Sequence, residues 1–200
     1  MTKSIITISR QYGSGGREIG ARVAEHLGFA YYDKELIRRM ALAGDMDEDL
    51  ASSGGEGLMG KVSTLLLSRG GEGSDQHSLP LCDRMFLAQA QAIKQIASEG
   101  PCVIVGHCAD YFLADCPGTL NIFIYAEGEA RVQRVMARNG LDRHAAAARI
   151  KKTDKKRATF YEQYTERKWG CVSNYDLCCS SSSFGIDGVV DLIVGIALLP

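Results

Sequence analysis

Residues 4–28 read SIITISRQYGSGGREIGARVAEHLG, and their order of textures decides the fold. Ser4 to Ser9 is a short β-branched run of the kind that forms a buried strand. Gly13-Ser14-Gly15-Gly16 interrupts it, and Ile19, Val23 and Leu27 then recur at four-residue spacing until Gly28 stops the helix. The segment is therefore strand, glycine-rich turn, helix. Three glycines in four residues allow backbone angles and close approaches that side chains forbid. Their N–H groups, with the exposed N–H groups of the helix start, can ring an anion such as phosphate. A tight turn alone needs only one or two glycines, so Gly13, Ser14, Gly15, Gly16 and Arg17 are the candidate phosphate-binding residues.

Two nucleotide motifs compete for this turn. A dinucleotide fingerprint, GxGxxG, is met by Gly13 and Gly15, but Glu18 stands in the third glycine's place. Asp33 follows Gly13 by 20 residues, as a ribose-binding acid should. A P-loop requires GxxxxGK[ST]; with Gly15 as its last glycine, Arg10 occupies the first position, Gly16 the lysine and Arg17 the hydroxyl. Neither pattern is complete, and both stay open on the residues alone.

Further along, Phe29–Tyr32 is expected to be a second strand and Lys34–Leu42 a helix. Asp83–Ser98 reads as another helix, and 102–106 and 120–126 as strands. Helices are expected over Glu127–Asn139 and from Arg143 to about Lys168, with Asp142 as cap. A fifth strand, 175–179, and a closing helix, 186–199, complete the pattern. Strands alternating with helices imply a parallel sheet of about five strands covered on both faces, an α/β three-layer sandwich. Ligands in such folds sit at the carboxyl ends of the strands.

Two hundred residues, 46% hydrophobic and 24% charged, fit a single domain over 1–200. Thirteen of the 27 residues from 52 to 78 are Gly or Ser, so a flexible insertion is expected at about 45–80. The apolar stretch 189–199 is about half a membrane span and contains Asp191, and Met1–Ser4 lacks signal-peptide architecture, so a cytoplasmic protein without a membrane partner is expected. Seven cysteines without a CxxC spacing suggest reduced thiols, and no metal site is proposed on them. Adjacent His107 and Cys108 point apart on a strand, which disfavours a thiolate–base pair.

Charge is unevenly placed. Residues 131–168 hold twelve Lys or Arg against four Asp or Glu, a net of +8 inside a chain of −1. One basic block in an acidic remainder suits an anionic ligand met at one place better than a nucleic acid. Within it Arg131, Arg134 and Arg138 share a helix face.

Residues 6–37, ITISRQYGSGGREIGARVAEHLGFAYYDKELI, resemble the cytidylate kinase-like family of the P-loop nucleoside monophosphate kinase superfamily. PCVIVGHCADYFL (101–113) and DKKRATFYEQYTERKWGCVSNYDL (154–177) are similar to its later segments. The Gly-Gly-Arg at 15–17 looks like that family's own form of the phosphate loop. The resemblance implies a P-loop kinase-like fold, ATP and Mg2+, and transfer of the γ-phosphoryl group to CMP or a related small nucleotide. Arg17 would supply the cation of the missing lysine, with Ser14 or water near the magnesium. Asp33, Arg39, Arg84, Gln91 and His107 match acceptor-binding positions, although relatives carry arginine at His107 and aspartate at Cys108. Asp154 and Arg157 match the Asp-x-x-Arg of a basic lid over about 138–168, and with Arg17 and Arg131 they are the expected catalytic residues. Tyr161, Tyr164 and Trp169 are expected to pack the lid helix on the core. The alternatives are a catalytically weak nucleotide-binding module of the same fold and, from the GxGxxG reading, a dinucleotide-dependent oxidoreductase. Oligomeric state is not legible.

Overall fold

The computed structural model of the chain describes residues 3–33 and 81–199. The expected helix 34–42 and the expected flexible insertion lie outside them. The chain divides into two units, Met1–Asp33 with Ala97–Pro200, and Lys34–Ile96. Within the first unit the elements are strand β1 (Ile5–Arg10), helix α1 (Gly16–Leu27) and strand β2 (Ala30–Tyr32). Helix α2 (Leu81–Glu99) belongs mainly to the second unit, and its Gln89, Ala92, Ile93 and Ile96 are buried. Strand β3 (Cys102–Val105), the one-turn helix α3 (Ala109–Phe112) and strand β4 (Thr119–Tyr125) follow. Helices α4 (Gly128–Asn139) and α5 (Arg143–Thr165) form a hairpin, and strand β5 (Leu177–Ser180) and helix α6 (Ser181–Ala197) close the chain.

The five strands are parallel in the order β2-β3-β1-β4-β5. Side chains alternate across each strand. Ile6 and Ile8, Val103 and Val105, and Leu120, Ile122 and Ile124 all face one way and form a single core with Ile19 and Val23 of α1 and Val189, Val190 and Ile193 of α6. The other face of β1 is polar: Thr7 Oγ1 donates to Asn121 Oδ1 at 2.7 Å, and Ser9 follows. Helices lie on both sides, as the alternating pattern requires.

The order also chooses between the two nucleotide readings. In the dinucleotide fold the second strand lies beside the first, which brings its terminal acid to the ligand's ribose. Here β3 separates β1 from β2, which removes the basis of the oxidoreductase reading. The chain leaves β1 towards β2 at one edge, whereas the chain leaving the adjacent β3 crosses to β4 on the far side of β1. That divergence makes the carboxyl ends of β1 and β3 the topological switch point, the place where open α/β sheets take their ligands.

Element ends agree with expectation within a few residues except at α6. It begins at Ser181 instead of 186, because Ser180 accepts from Ser183 N at 3.3 Å and starts a first turn. Gly185 (φ 71°, ψ 174°) then breaks the helix once before it continues. Asp142 caps α5 as expected, accepting from Ala145 N at 2.8 Å.

Candidate functional site

Gln11–Gly15 joins β1 to α1 at the carboxyl edge of the sheet, and its chemistry is set by its carbonyls. Six in succession accept from protein donors. Arg157 Nη1 reaches Arg10 O at 2.8 Å, Ser14 Oγ reaches Gln11 O at 2.9 Å, and Arg131 Nε reaches Tyr12 O at 2.8 Å. Arg134 Nη1 holds Gly13 O at 2.8 Å, Ser181 Oγ holds Ser14 O at 2.6 Å, and Ile19 N closes on Gly15 O at 3.0 Å. A trans peptide is planar, with its N–H opposed to its C=O. Fixing a carbonyl outward therefore turns the next residue's amide the other way. The amides of Gly13, Gly15, Gly16 and Arg17 have no partner among the described residues, and no side chain caps α1. The carbonyls are tied to arginines, serines and the Ile19 amide, while Gln11, Tyr12 and Ser14 also spend their amides within the protein. The four amides left over give the start of α1 the polarity an anion requires.

Gly13 and Gly15 make this possible with φ of 82° and 81°, where an L side chain costs about 1–2 kcal/mol. A Cβ at Gly13 would also press on Arg131 O at 3.0 Å, and one at Gly16 would meet Arg10 Cβ at 2.6 Å. Ser14 has a different part. It is fully buried, and its amide and hydroxyl both donate to Gln11 O, so it braces the turn from inside and spends both of its protons there.

The arginines come from the α4–α5 hairpin, which grips the loop through Tyr12. Asp154 accepts from Tyr12 N at 2.7 Å and also pairs with Arg131. The Tyr12 ring is buried against Val135 and Ala146. Arg131, Asp154 and Arg157 are thus assembled on the loop, as grouped from the sequence. Their contacts are with its backbone: Arg131 orients the Gly13 amide, and Asp154 orients Arg131. Arg134 and Tyr12 share the task and were not singled out for it. A tyrosine inside a glycine-rich turn, and an arginine one helical turn after Arg131, were the available signals.

Arg17 lies half-exposed at the start of α1 with its Nε 2.5 Å from Oδ2 of buried Asp33. The two were assigned separate roles, cation and acceptor contact, and the fold makes them a pair. Arg39 and the side chain of Arg84 lie outside the described residues. Gln91 is exposed on α2. His107 is half-buried in a strained bend, with Gly106, His107 and Cys108 at φ 85°, 63° and 54°. A Cβ on Gly106 would collide with the Arg10 guanidinium, so the bend and Arg10 fit each other.

Beneath the loop lies a buried polar cluster. Ser9 Oγ donates to Asp110 Oδ1 at 3.2 Å, and Tyr161 Oη donates to Asp110 Oδ2 at 2.6 Å. Burial holds the Asp110 carboxyl above the usual carboxylate range; the hydrogen bonds from Tyr161 and Ser9 oppose the shift without cancelling it. Burial and the adjacent carboxyl push the Tyr161 phenol up, and burial likewise raises the Cys108 thiol, favouring its protonated form. Tyr161 and Trp169 pack on the core as expected, Trp169 edge-on to Phe123 at 5.5 Å. Among the described residues no three His, Cys, Asp or Glu side chains gather as a metal site, and no helix is long and apolar enough to cross a membrane. The six described cysteines are free thiols.

The sequence profile of the Cytidylate kinase-like family matches residues 5–183. A cytidylate kinase from Methanoculleus marisnigri is 27% identical over 57% of this chain and 61% of its own length. One from Methanopyrus kandleri is 26% identical over 94% of this chain and 90% of its own. The chain thus spans less than two thirds of the first relative and nine tenths of the second. The crystal structure of an uncharacterized protein from Eubacterium ventriosum is 27% identical, with a TM-score of 0.72 and 96% of each chain covered. A shikimate kinase from Bacteroides thetaiotaomicron shares the fold at 13% identity and a TM-score of 0.54, covering 98% of both chains.

Proposed function

The chain belongs to the cytidylate kinase-like family, and from that premise we propose that it transfers the γ-phosphoryl group of ATP to CMP or a related nucleoside monophosphate. The observation that carries the reading is the polarity of the loop. Six carbonyls from Arg10 to Gly15 are engaged by protein donors, and among the described residues four amides at the start of α1 have no partner, which suits a polyphosphate.

In this reading Gly13, Gly15, Gly16 and Arg17 receive the donor phosphates through their amides. Arg17 adds charge from a side chain that Asp33 steadies. Arg131 and Asp154 hold the loop in its receptive form, and Arg157, fixed to Arg10 O, stands closest in the chain to the expected lid function. Asp33, Arg39, Arg84, Gln91 and His107 are the proposed acceptor contacts. An oxygen of the acceptor's phosphate attacks the γ-phosphorus, the bond to the β–γ bridging oxygen breaks, and ADP leaves. Positioning and neutralisation of charge supply most of the rate in such a transfer. Magnesium, carried by the nucleotide's phosphates, would add charge neutralisation, with the Ser14 oxygen or water as its contact on the loop side.

A second reading is favoured by one feature: the hairpin arginines are engaged with backbone carbonyls of the loop and of Arg10. That suits a module that binds nucleotide and transfers little. Formation of ADP from ATP and Mg2+ with CMP, UMP, dCMP, AMP and GMP separates the two. We expect ADP in proportion to CMP or a close analogue. ATP binding without acceptor-dependent ADP would favour the module, and no ATP binding would overturn both.

A further inference from the structure

We propose that Tyr12 is a positioning residue that couples polyphosphate occupancy of the β1–α1 loop to docking of the α4–α5 hairpin; the inference rests on the nucleotide-binding reading above. Tyr12 is joined to the hairpin by every group it has. Its amide donates to Asp154 and its carbonyl accepts from Arg131, while Asp154 and Arg131 pair with each other. Its ring is buried with Val135 and Ala146, and Val132, Met136, Leu141 and Ile150 pack around them. The guanidinium carbons of Arg138 and Arg157 lie 5.8 and 5.6 Å from the ring centroid, one cation contributed by each helix. Asn139 Nδ2 donates to the phenol oxygen at 3.3 Å.

Two consequences meet at this residue. The peptide plane between Tyr12 and Gly13 carries on one side the carbonyl that Arg131 holds and on the other the amide that faces the ligand. Docking the hairpin therefore sets the angle of a phosphate-binding amide, and an anion on that amide holds the carbonyl towards Arg131. The ring makes the arrangement discrete: it is either seated between α4 and α5 or withdrawn, and withdrawal removes the cation contacts and the apolar socket together. An anion that favours the seated loop must then favour the docked hairpin by the same factor, since coupling is reciprocal.

Hydrogen exchange of the full chain, with and without inorganic tripolyphosphate, tests this without any catalytic readout. A ligand that binds only the docked state slows opening-limited exchange by 1 + [L]/Kd, about tenfold at roughly ten times its Kd. In the wild type and in Tyr12→Phe, which keeps the ring, that slowing is expected across α4 and α5. In Tyr12→Leu, with probe at ten times the variant's own Kd, the loop should still be protected while slowing in α4 and α5 falls below about twofold. A purely structural tyrosine would lower the melting temperature of Tyr12→Leu and leave the ratio intact, and that result overturns the coupling alone. Failure of tripolyphosphate to bind the wild type overturns the anion-binding reading with it. Should Tyr12→Leu not fold, Val135→Ala opens the socket from the hairpin side. Loss of the slowing is again expected, and full slowing counts against the proposal.

Discussion

Helices α1 and α6 both begin where a parallel strand ends, yet their first turns are finished differently. At α6, Ser180 closes the turn by accepting from Ser183 N. At α1 the corresponding position is Gly15, in the left-handed conformation, and no side chain covers the amides. A serine cap is worth about 1 kcal/mol, so a helix that starts without one keeps its donors for something else. The closed turn also serves the open one. Ser181, the first residue of α6, holds Ser14 O at 2.6 Å and so turns the amide of Gly15.

The largest effect should come from breaking the open end. Arg131→Ala leaves Asp154 without its pair and releases Tyr12 O. With both side chains largely buried, about 3 kcal/mol of stability should be lost, the low end for a broken buried pair. Releasing the Gly13 amide should cost about 2 kcal/mol of ATP affinity, roughly thirtyfold. Urea denaturation and titration calorimetry read the two losses separately. Wild-type affinity in a destabilised variant would mean that the loop holds its polarity without the hairpin.

Arg17→Ala should act next in size. It removes a half-exposed cation from a buried carboxylate, for which about 1–2 kcal/mol of stability is expected after allowance for solvent screening. ATP affinity should fall as well, and Arg17→Lys should restore part of it. Unchanged affinity in Arg17→Ala would reduce Arg17 to the partner of Asp33. At the closed end, Ser180→Ala should cost about 1 kcal/mol and leave ATP affinity unaltered. If that variant binds ATP poorly, the Ser180 cap is what keeps Ser181 on Ser14 O.

The sheet and its helices were legible because they rest on local pattern: the β-branched run 4–9, the four-residue spacing of Ile19, Val23 and Leu27, and the punctuation by Gly28, Gly100 and Gly140. Strand order was not, since nothing local tells β2 that β3 will lie between it and β1. The one-turn helix α3 is too short to show a period. In the site, the glycines and the arginine cluster were visible. What the arginines hold was not, because each of their bonds to a backbone carbonyl joins residues more than 100 positions apart and carries no spacing signature. Ser181 acting on Ser14, 167 residues away, is the extreme case. The pairing of Arg17 with Asp33 was hidden differently: both residues were noticed, and each had been given a ligand of its own.

The smallest effect concerns what braces the open end from below. Ser9, the residue before Arg10, and Tyr161 of α5 both donate to Asp110, so this carboxyl links the end of β1 to the hairpin independently of Tyr12. Its pKa in the fold is raised by burial above the value of 3.8 it has when exposed, and the native state therefore keeps the proton at pH values where the unfolded chain has lost it. Stability from this group is complete below the unfolded value and declines as pH rises through the folded one. The wild type should accordingly show a urea midpoint that drifts down with pH just above the ordinary carboxylate range. Asp110→Asn, neutral throughout, should remove that part of the drift. A midpoint that rises over the same interval, with the variant losing the rise, would mean that Tyr161 and Ser9 stabilise the carboxylate more than burial penalises it. The brace would then be an ionised one, holding β1 to α5 most firmly at neutral pH.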